Sequence, residues 1–244
     1  MSAPTAGQSA PEPELPHDFD HTHSDVSGGW LRAATFGAMD GLVSNTALIA
    51  GVAASAGAQT VVLSGVAGLL AGAFSMAMGE YTSVTTANEQ IESEVGVERR
   101  AFRNFPEAEK AELIGMLVEM GLTEATAKVA SEEIHRDESA ALNFHLSHEL
   151  GVDPREKPSA WVAAGSSFVT FAIGAIIPLI PYLLGFGYLW AGLICGGVGL
   201  LIAGGVAARF TGKPIWWASS RQLAFGAVAI AATYVVGTLI GTVV

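Results

Sequence analysis

MDGLVSNTALIAGV, residues 39–52, has the apolar weight of a buried helix yet carries an acid, Asp40, with no base nearer than Arg32. If this stretch crosses a bilayer, an ionised carboxylate without a partner is expensive, so the side chain must face a cavity, a partner or an ion. The fold therefore turns on whether the surrounding chain spans a membrane.

The composition points that way: half of the 244 residues are hydrophobic, 14% are charged and 29 are glycine. About 20 apolar residues cross roughly 30 Å of hydrocarbon. Five such stretches follow one another: 33–56, 61–82, 161–186, 188–208 and 223–244. The first two are interrupted by Asp40, Ser44, Asn45 and Glu80. The expected fold is all-α, with five transmembrane helices and a polar helical module inserted between spans 2 and 3. The chain divides into an acidic tail (1–29), spans 1 and 2 (30–87), the module (88–157) and spans 3 to 5 (158–244).

Cations at span ends stay on the cytoplasmic side. Five spans from a cytoplasmic N-terminus place all 12 Lys and Arg on that side, and the two opposite turns hold none. The tail has five acids and no base, a composition that does not bury enough apolar surface to order itself. It lacks the basic start and apolar core of a secretory signal. His17, Asp18, Asp20, His21 and His23 within it read first as a solvated tail and second as a chelator. One cysteine, Cys195, excludes a disulfide framework or a thiolate cluster. Nothing in this acidic chain suits nucleic acid. The Ala, Gly and Val richness and the lack of a targeting presequence point to a prokaryotic inner membrane.

Residues 88–157 carry 16 acids against 8 bases, a net charge of −8. ANEQIESEVGVERRAF (87–102) continues the second span as a polar helix, and PEAEKAELIGMLVEMG (106–121) places Pro106 in a first turn and Gly121 at a C-terminal cap. A third helix starts at the N-cap candidate Thr123 and either continues or breaks near Asp137. Leu113, Leu117, Val129, Ile134, Leu142 and Leu146 give these helices a thin apolar side. Glu94 with Glu98, Glu109 with Glu112, and His145 with Glu149 each share a helix face, so the three pairs can converge on cations. Carboxylates with an imidazole suit Fe²⁺, Mn²⁺ or Zn²⁺. An acidic solvated surface explains the same residues about equally well, because Glu is a good helix former. Glu132 and His135 have the Glu-x-x-His spacing of di-iron proteins, but such a site needs two copies and the chain holds one.

Asp40 and Glu80 are the only acids in the spans, and no Lys or Arg lies deep in any span, so a salt bridge within one protomer is not expected to neutralise them. Protons, metal ions or hydrogen bonds remain. Met76 lies one turn before Glu80, which places a soft thioether beside a hard carboxylate, a pairing suited to Fe²⁺. Methionine in a span is more often packing.

FGAMDGLVSNTALIAGV (36–52), AGLLAGAFSMAMGEYTSV (67–84), an acidic helical insert ending in HELG and a third span with IIPLIPYLL together resemble the vacuolar iron transporter (VIT/CCC) family. The resemblance covers nearly the whole chain after the tail. It implies a five-span dimer that moves Fe²⁺, and often Mn²⁺, out of the cytosol in exchange for protons, with a cytoplasmic helical domain that binds metal ahead of the pore. By position it implies pore ligands at Asp40, Met76 and Glu80, and module ligands at Glu98, Glu109, Glu112 and Glu149. It also marks departures: Ala101 stands at an expected glutamate, His145 at a methionine, and Gly68 near a second-span acid found in some relatives. An imidazole in place of a thioether shifts preference toward Mn²⁺ or Zn²⁺. In this scheme Asp40 and Glu80 hold protons when no ion is bound and metal displaces them, while Pro178 and Pro181 distort the third span beside the path or form a static kink. Small residues such as GGVGLLIAGG favour dimerisation through the membrane. Two other readings compete: a membrane-tethered metal buffer or sensor that needs only the module acids, and a di-iron ferroxidase.

Overall fold

The computed structural model describes residues 29–149, 151 and 157–241. The tail histidines and aspartates lie outside these residues. All regular structure among the described residues is helical, and five helices are long and apolar enough to cross a membrane. They are α1 (Trp30–Ala53), α2 (Ala58–Asn104), a third span assembled from α6 (Ala160–Ile176), a 3₁₀ turn (Ile177–Leu179) and α7 (Ile180–Leu183), then α8 (Leu189–Thr211) and α9 (Ile215–Gly241). Helix α9 starts eight residues before the expected span, because Pro214 sets its first turn and Arg221 is accommodated within it.

Helix α1 is the hub, packing against α6, α9, α2 and α8. Its closest crossing is with α6. A Cβ on Gly41 would meet the Phe171 carbonyl, and one on Gly174 would meet the Ala38 carbonyl, so only glycine allows these backbones to touch. Small apolar clusters stack along the bundle: Ala33, Val84 and Ala163 at one end, Ala73, Phe171 and Ala175 in the middle, and Ile49, Val61, Leu179 and Tyr182 at the other. Trp30, Trp161, Trp216 and Trp217 are exposed near the first end, and Tyr188 and Trp190 near the second, as two interfacial aromatic belts would be.

Helix α2 runs unbroken for 47 residues, about 70 Å, more than twice the hydrocarbon thickness. Its distal half carries the module: α3 (Pro106–Glu119), α4 (Glu124–Ile134) and α5 (Glu138–Glu149). The local signals act as read from the sequence. Pro106 opens α3, Gly121 turns the chain at φ 102°, and the Thr123 hydroxyl caps α4 by accepting the Thr126 N–H at 3.3 Å. The chain breaks at Asp137, whose carboxylate accepts the Ser139 N–H at 2.9 Å to start α5. The module core is Leu113, Leu117 and Ala127. Val129, expected among them, faces outward at 58% exposure because Ala127 and Ser131 take the buried side of α4.

Candidate metal sites in the span and in the module

The membrane part holds a cavity of about 300 Å³ lined by Asp40, Ser44, Asn45 and Leu48 of α1, Gly68, Gly72, Ser75 and Met76 of α2, and Phe171 of α6. Helical spacing accounts for the set: 40, 44 and 48 follow one stripe of α1, and 68, 72, 75 and 76 follow one stripe of α2. Ser44 donates to Asp40 Oδ1 at 2.5 Å, one turn away. Met76 also packs against the Ala73, Phe171 and Ala175 cluster, so its thioether serves packing and borders the cavity at once. Asn45 is 2% exposed and donates from Nδ2 to the Ala175 carbonyl at 2.6 Å.

Glu80 lies elsewhere. It does not line this cavity but sits one turn closer to the module, where Arg32 Nη2 donates to its Oε2 at 3.1 Å. Contrary to the expectation from sequence, a base of the same protomer therefore does reach one of the two span acids. Arg32 starts α1 at the end of the bundle where α2 leaves it, and its long side chain reaches across to Glu80.

In the module, four glutamates surround one histidine. Ligand atoms of Glu98, Glu109 and His145 lie within 4.8 Å of one another, as do those of Glu112, His145 and Glu149. Among the described residues these are the only groups of three or more His, Cys, Asp or Glu that are close enough to hold an ion, and they share His145. Its Nδ1 is 3.1 Å from Glu98 Oε1, 3.5 Å from Glu149 Oε1 and 3.6 Å from Glu109 Oε2. Metal bonds of about 2.0–2.2 Å put neighbouring donors roughly 3 Å apart, so modest side-chain rotation closes this shell. Three helices supply it: Glu98 from distal α2, Glu109 and Glu112 from α3, His145 and Glu149 from α5.

Burial sets the protonation. His145 is fully buried, which pushes its pKa down, and the nearby Glu112 charge opposes this. Burial pushes Glu98 up to about 7, aided by the charges of Glu149 and Glu109. Glu149 also rises to about 7, by burial first and then through a hydrogen bond with Glu112. Glu109 is raised by burial and the Glu112 charge. Burial thus favours a neutral imidazole beside two carboxyls, Glu98 and Glu149, that hold protons up to about 7. Neither ring nitrogen of His145 has a hydrogen-bond partner despite the short distances. A buried imidazole left unpaired among carboxyls is suited to a cation.

The structure gathers Glu98, Glu109, Glu112, His145 and Glu149 in the module, and Asp40 and Met76 around the cavity. It leaves Glu94, one turn below Glu98, outside both groups, and Glu80 on Arg32. His135 stacks on Phe102 and its ring lies 6.1 Å from His145, but its expected partner Glu132 is exposed and in neither group. Asn45 is the cavity-lining residue that sequence reasoning left out of the site. Its signal was an amide side chain five residues after Asp40 in an otherwise apolar span.

The chain is similar to known proteins along most of its length. The profile of the VIT family matches residues 31–238. A vacuolar iron transporter of Acanthamoeba castellanii is 35% identical over 90% of this chain and 82% of its own length. Vacuolar iron transporter 1 of Oryza sativa subsp. japonica is 30% identical over 96% of both chains. Vacuolar iron transporter 1 of Arabidopsis thaliana is 30% identical over 91% of this chain and 92% of its own. Five long apolar helices in this order, a match along almost their whole run and relatives covered nearly end to end leave one conclusion: the chain belongs to the VIT family.

Proposed function

We propose that the chain is a membrane transporter that moves Fe²⁺, Mn²⁺ or both out of the cytosol in exchange for protons. The observation that carries the reading is the half-buried carboxylate of Asp40, set with a thioether, an amide and two hydroxyls around a cavity inside helices that fit a bilayer. Such a group is tolerable in lipid only with protons, an ion or a partner. The names of the relatives supply iron as the first candidate cargo.

The module captures the ion. Its acids raise the local cation concentration and its five-donor cluster holds the metal near the end of the bundle where α2 emerges. Every described Lys and Arg lies in the module or at that end, which favours the cytosolic side for both. The same polarity serves a vacuolar membrane or a prokaryotic inner membrane, because either way the ion leaves the cytosol.

A second copy completes the unit. Ser44 is exposed and Asp40 half-exposed on the open side of the cavity, and only 17% of the apolar run of α2 is buried within the protomer. A carboxylate facing lipid needs a cover, and a homodimer closing over α1 and α2 provides one. Uptake into reconstituted vesicles tests the reading. Asp40→Asn abolishes Fe²⁺ and Mn²⁺ flux with its coupled proton movement while metal binding by the module persists. Undiminished flux in that variant rejects Asp40 as the transport site, whereas no flux in the parent rejects transport and leaves the tethered buffer, which needs only the His145 cluster.

A further inference from the structure

The side-chain amide of Asn45 is divided between two jobs. Its nitrogen donates to the Ala175 carbonyl at 2.6 Å, and this fixes the orientation, since the flipped amide would set oxygen against oxygen. Its oxygen is buried without a hydrogen-bond partner, on a residue 2% exposed that borders the Asp40 and Met76 cavity. Gly68 faces that oxygen without a side chain: the place a Cβ would occupy is 3.3 Å from Oδ1. A buried acceptor with no donor is rare in a folded chain, and a cation is the partner that an amide oxygen beside a carboxylate fits.

The other end of the amide reaches the break in the third span. Pro178 has no N–H, and within the 3₁₀ turn Ile177–Leu179 the N–H groups bond three residues back rather than four. The Ala175 carbonyl therefore loses its usual helical donor, Leu179, and takes the Asn45 amide instead. A cation on the amide oxygen draws electron density from the nitrogen and strengthens its N–H bond to Ala175. We propose that Asn45 Oδ1 is a ligand of the ion in the membrane cavity, and that the same amide ties occupancy of the cavity to the break in the third span. The proposal rests on the transport reading above.

The test is Mn²⁺ uptake by full-length protein in vesicles, with KM and kcat measured separately. Asn45→Ala removes oxygen and donor together, and its KM rises roughly tenfold or more. Asn45→Asp is nearly isosteric, keeps an oxygen ligand, loses the N–H and adds a carboxyl beside Asp40, so KM does not rise above about twofold of the parent while kcat falls about tenfold. This split distinguishes a ligand from a strut, which would lower the amount of folded protein without separating the two constants. If Asn45→Ala does not fold, Asn45→Asp alone decides. An unchanged kcat, or a KM raised as far as in the alanine variant, overturns the proposal. Parent-like kinetics in both variants, with flux lost in Asp40→Asn, overturns the Asn45 assignment and spares the transport reading. No flux in the parent overturns both.

Discussion

The membrane cavity and the module cluster use acids in opposite ways. The module packs four carboxylates around one imidazole, whereas the cavity has a single carboxylate and completes its lining with an amide, two hydroxyls and a thioether. The difference follows from the solvent. At the bilayer centre each added charge costs free energy that water does not return, so neutral donors must supplement one acid. A sparse neutral shell also binds weakly enough to let an ion leave, which a path requires and a capture site does not. In the proposed transporter, charge gathers the ion in the module and neutral donors let it pass.

Removing the single charge breaks this contrast most severely. Asp40→Asn lowers Fe²⁺ or Mn²⁺ uptake by about 100-fold or more, the scale expected when the only ionic ligand is lost, while calorimetry still finds metal binding in the module. Next comes the shared ligand of the module. His145→Ala removes the one residue common to both donor groups and weakens Mn²⁺ or Zn²⁺ binding by roughly 10- to 100-fold. Glu94→Gln, outside both groups, changes it less than about twofold. Equal losses in the two variants would mean that the acids act as a diffuse field and not as a shell.

The module cluster also responds to pH. Glu98 and Glu149 hold protons up to about 7, against 4.5 for an ordinary glutamate. Metal must displace those protons, so module affinity falls below pH 7, by about tenfold per pH unit for each proton released. Calorimetry in buffers of different ionisation enthalpy counts them. Without metal the stability trend has the opposite sense. The native state binds these protons more tightly than the unfolded chain, so the stability they contribute is fully present below pH 4.5 and is lost as pH rises through 7. Melting temperature of the metal-free protein therefore drops between pH 5 and 8, and added Mn²⁺ restores it at the alkaline end.

The sequence disclosed what local chemistry determines. Apolar length gave five spans, Pro106, Gly121 and Thr123 marked the module helices, and the i, i+3 and i, i+4 pairs put Glu98, Glu109, Glu112, His145 and Glu149 on faces able to meet. What it withheld depends on where helices cross. Glu94 has the same spacing to Glu98 as His145 has to Glu149, and only the placement of α3 and α5 on α2 decides that Glu94 is left aside. Glu80 and Arg32 are 48 residues apart, and nothing in their spacing announces the contact. The amide of Asn45 finds Ala175 130 residues away, through a carbonyl that becomes free only because the third span breaks.

The smallest expected effect concerns the ion pair at the mouth, where the two regions join. The Arg32 side chain is 68% exposed and that of Glu80 10%, so the bond is screened from the Arg32 side only and contributes about 1 kcal/mol to stability. Arg32→Gln therefore leaves the melting temperature nearly unchanged. Its effect on flux is more telling, because Glu80 lies between the module and the Asp40 cavity on the same helix. If Arg32 holds that carboxylate away from the ion, freeing it raises the apparent affinity for Mn²⁺ by a few fold, the worth of about 1 kcal/mol, and Glu80→Gln with Arg32→Gln cancels the gain. If the ion passes without touching Glu80, neither variant moves KM. The double-mutant cycle then reports only the weak surface pair, and the path runs from the His145 cluster to Asp40 along some other face of α2.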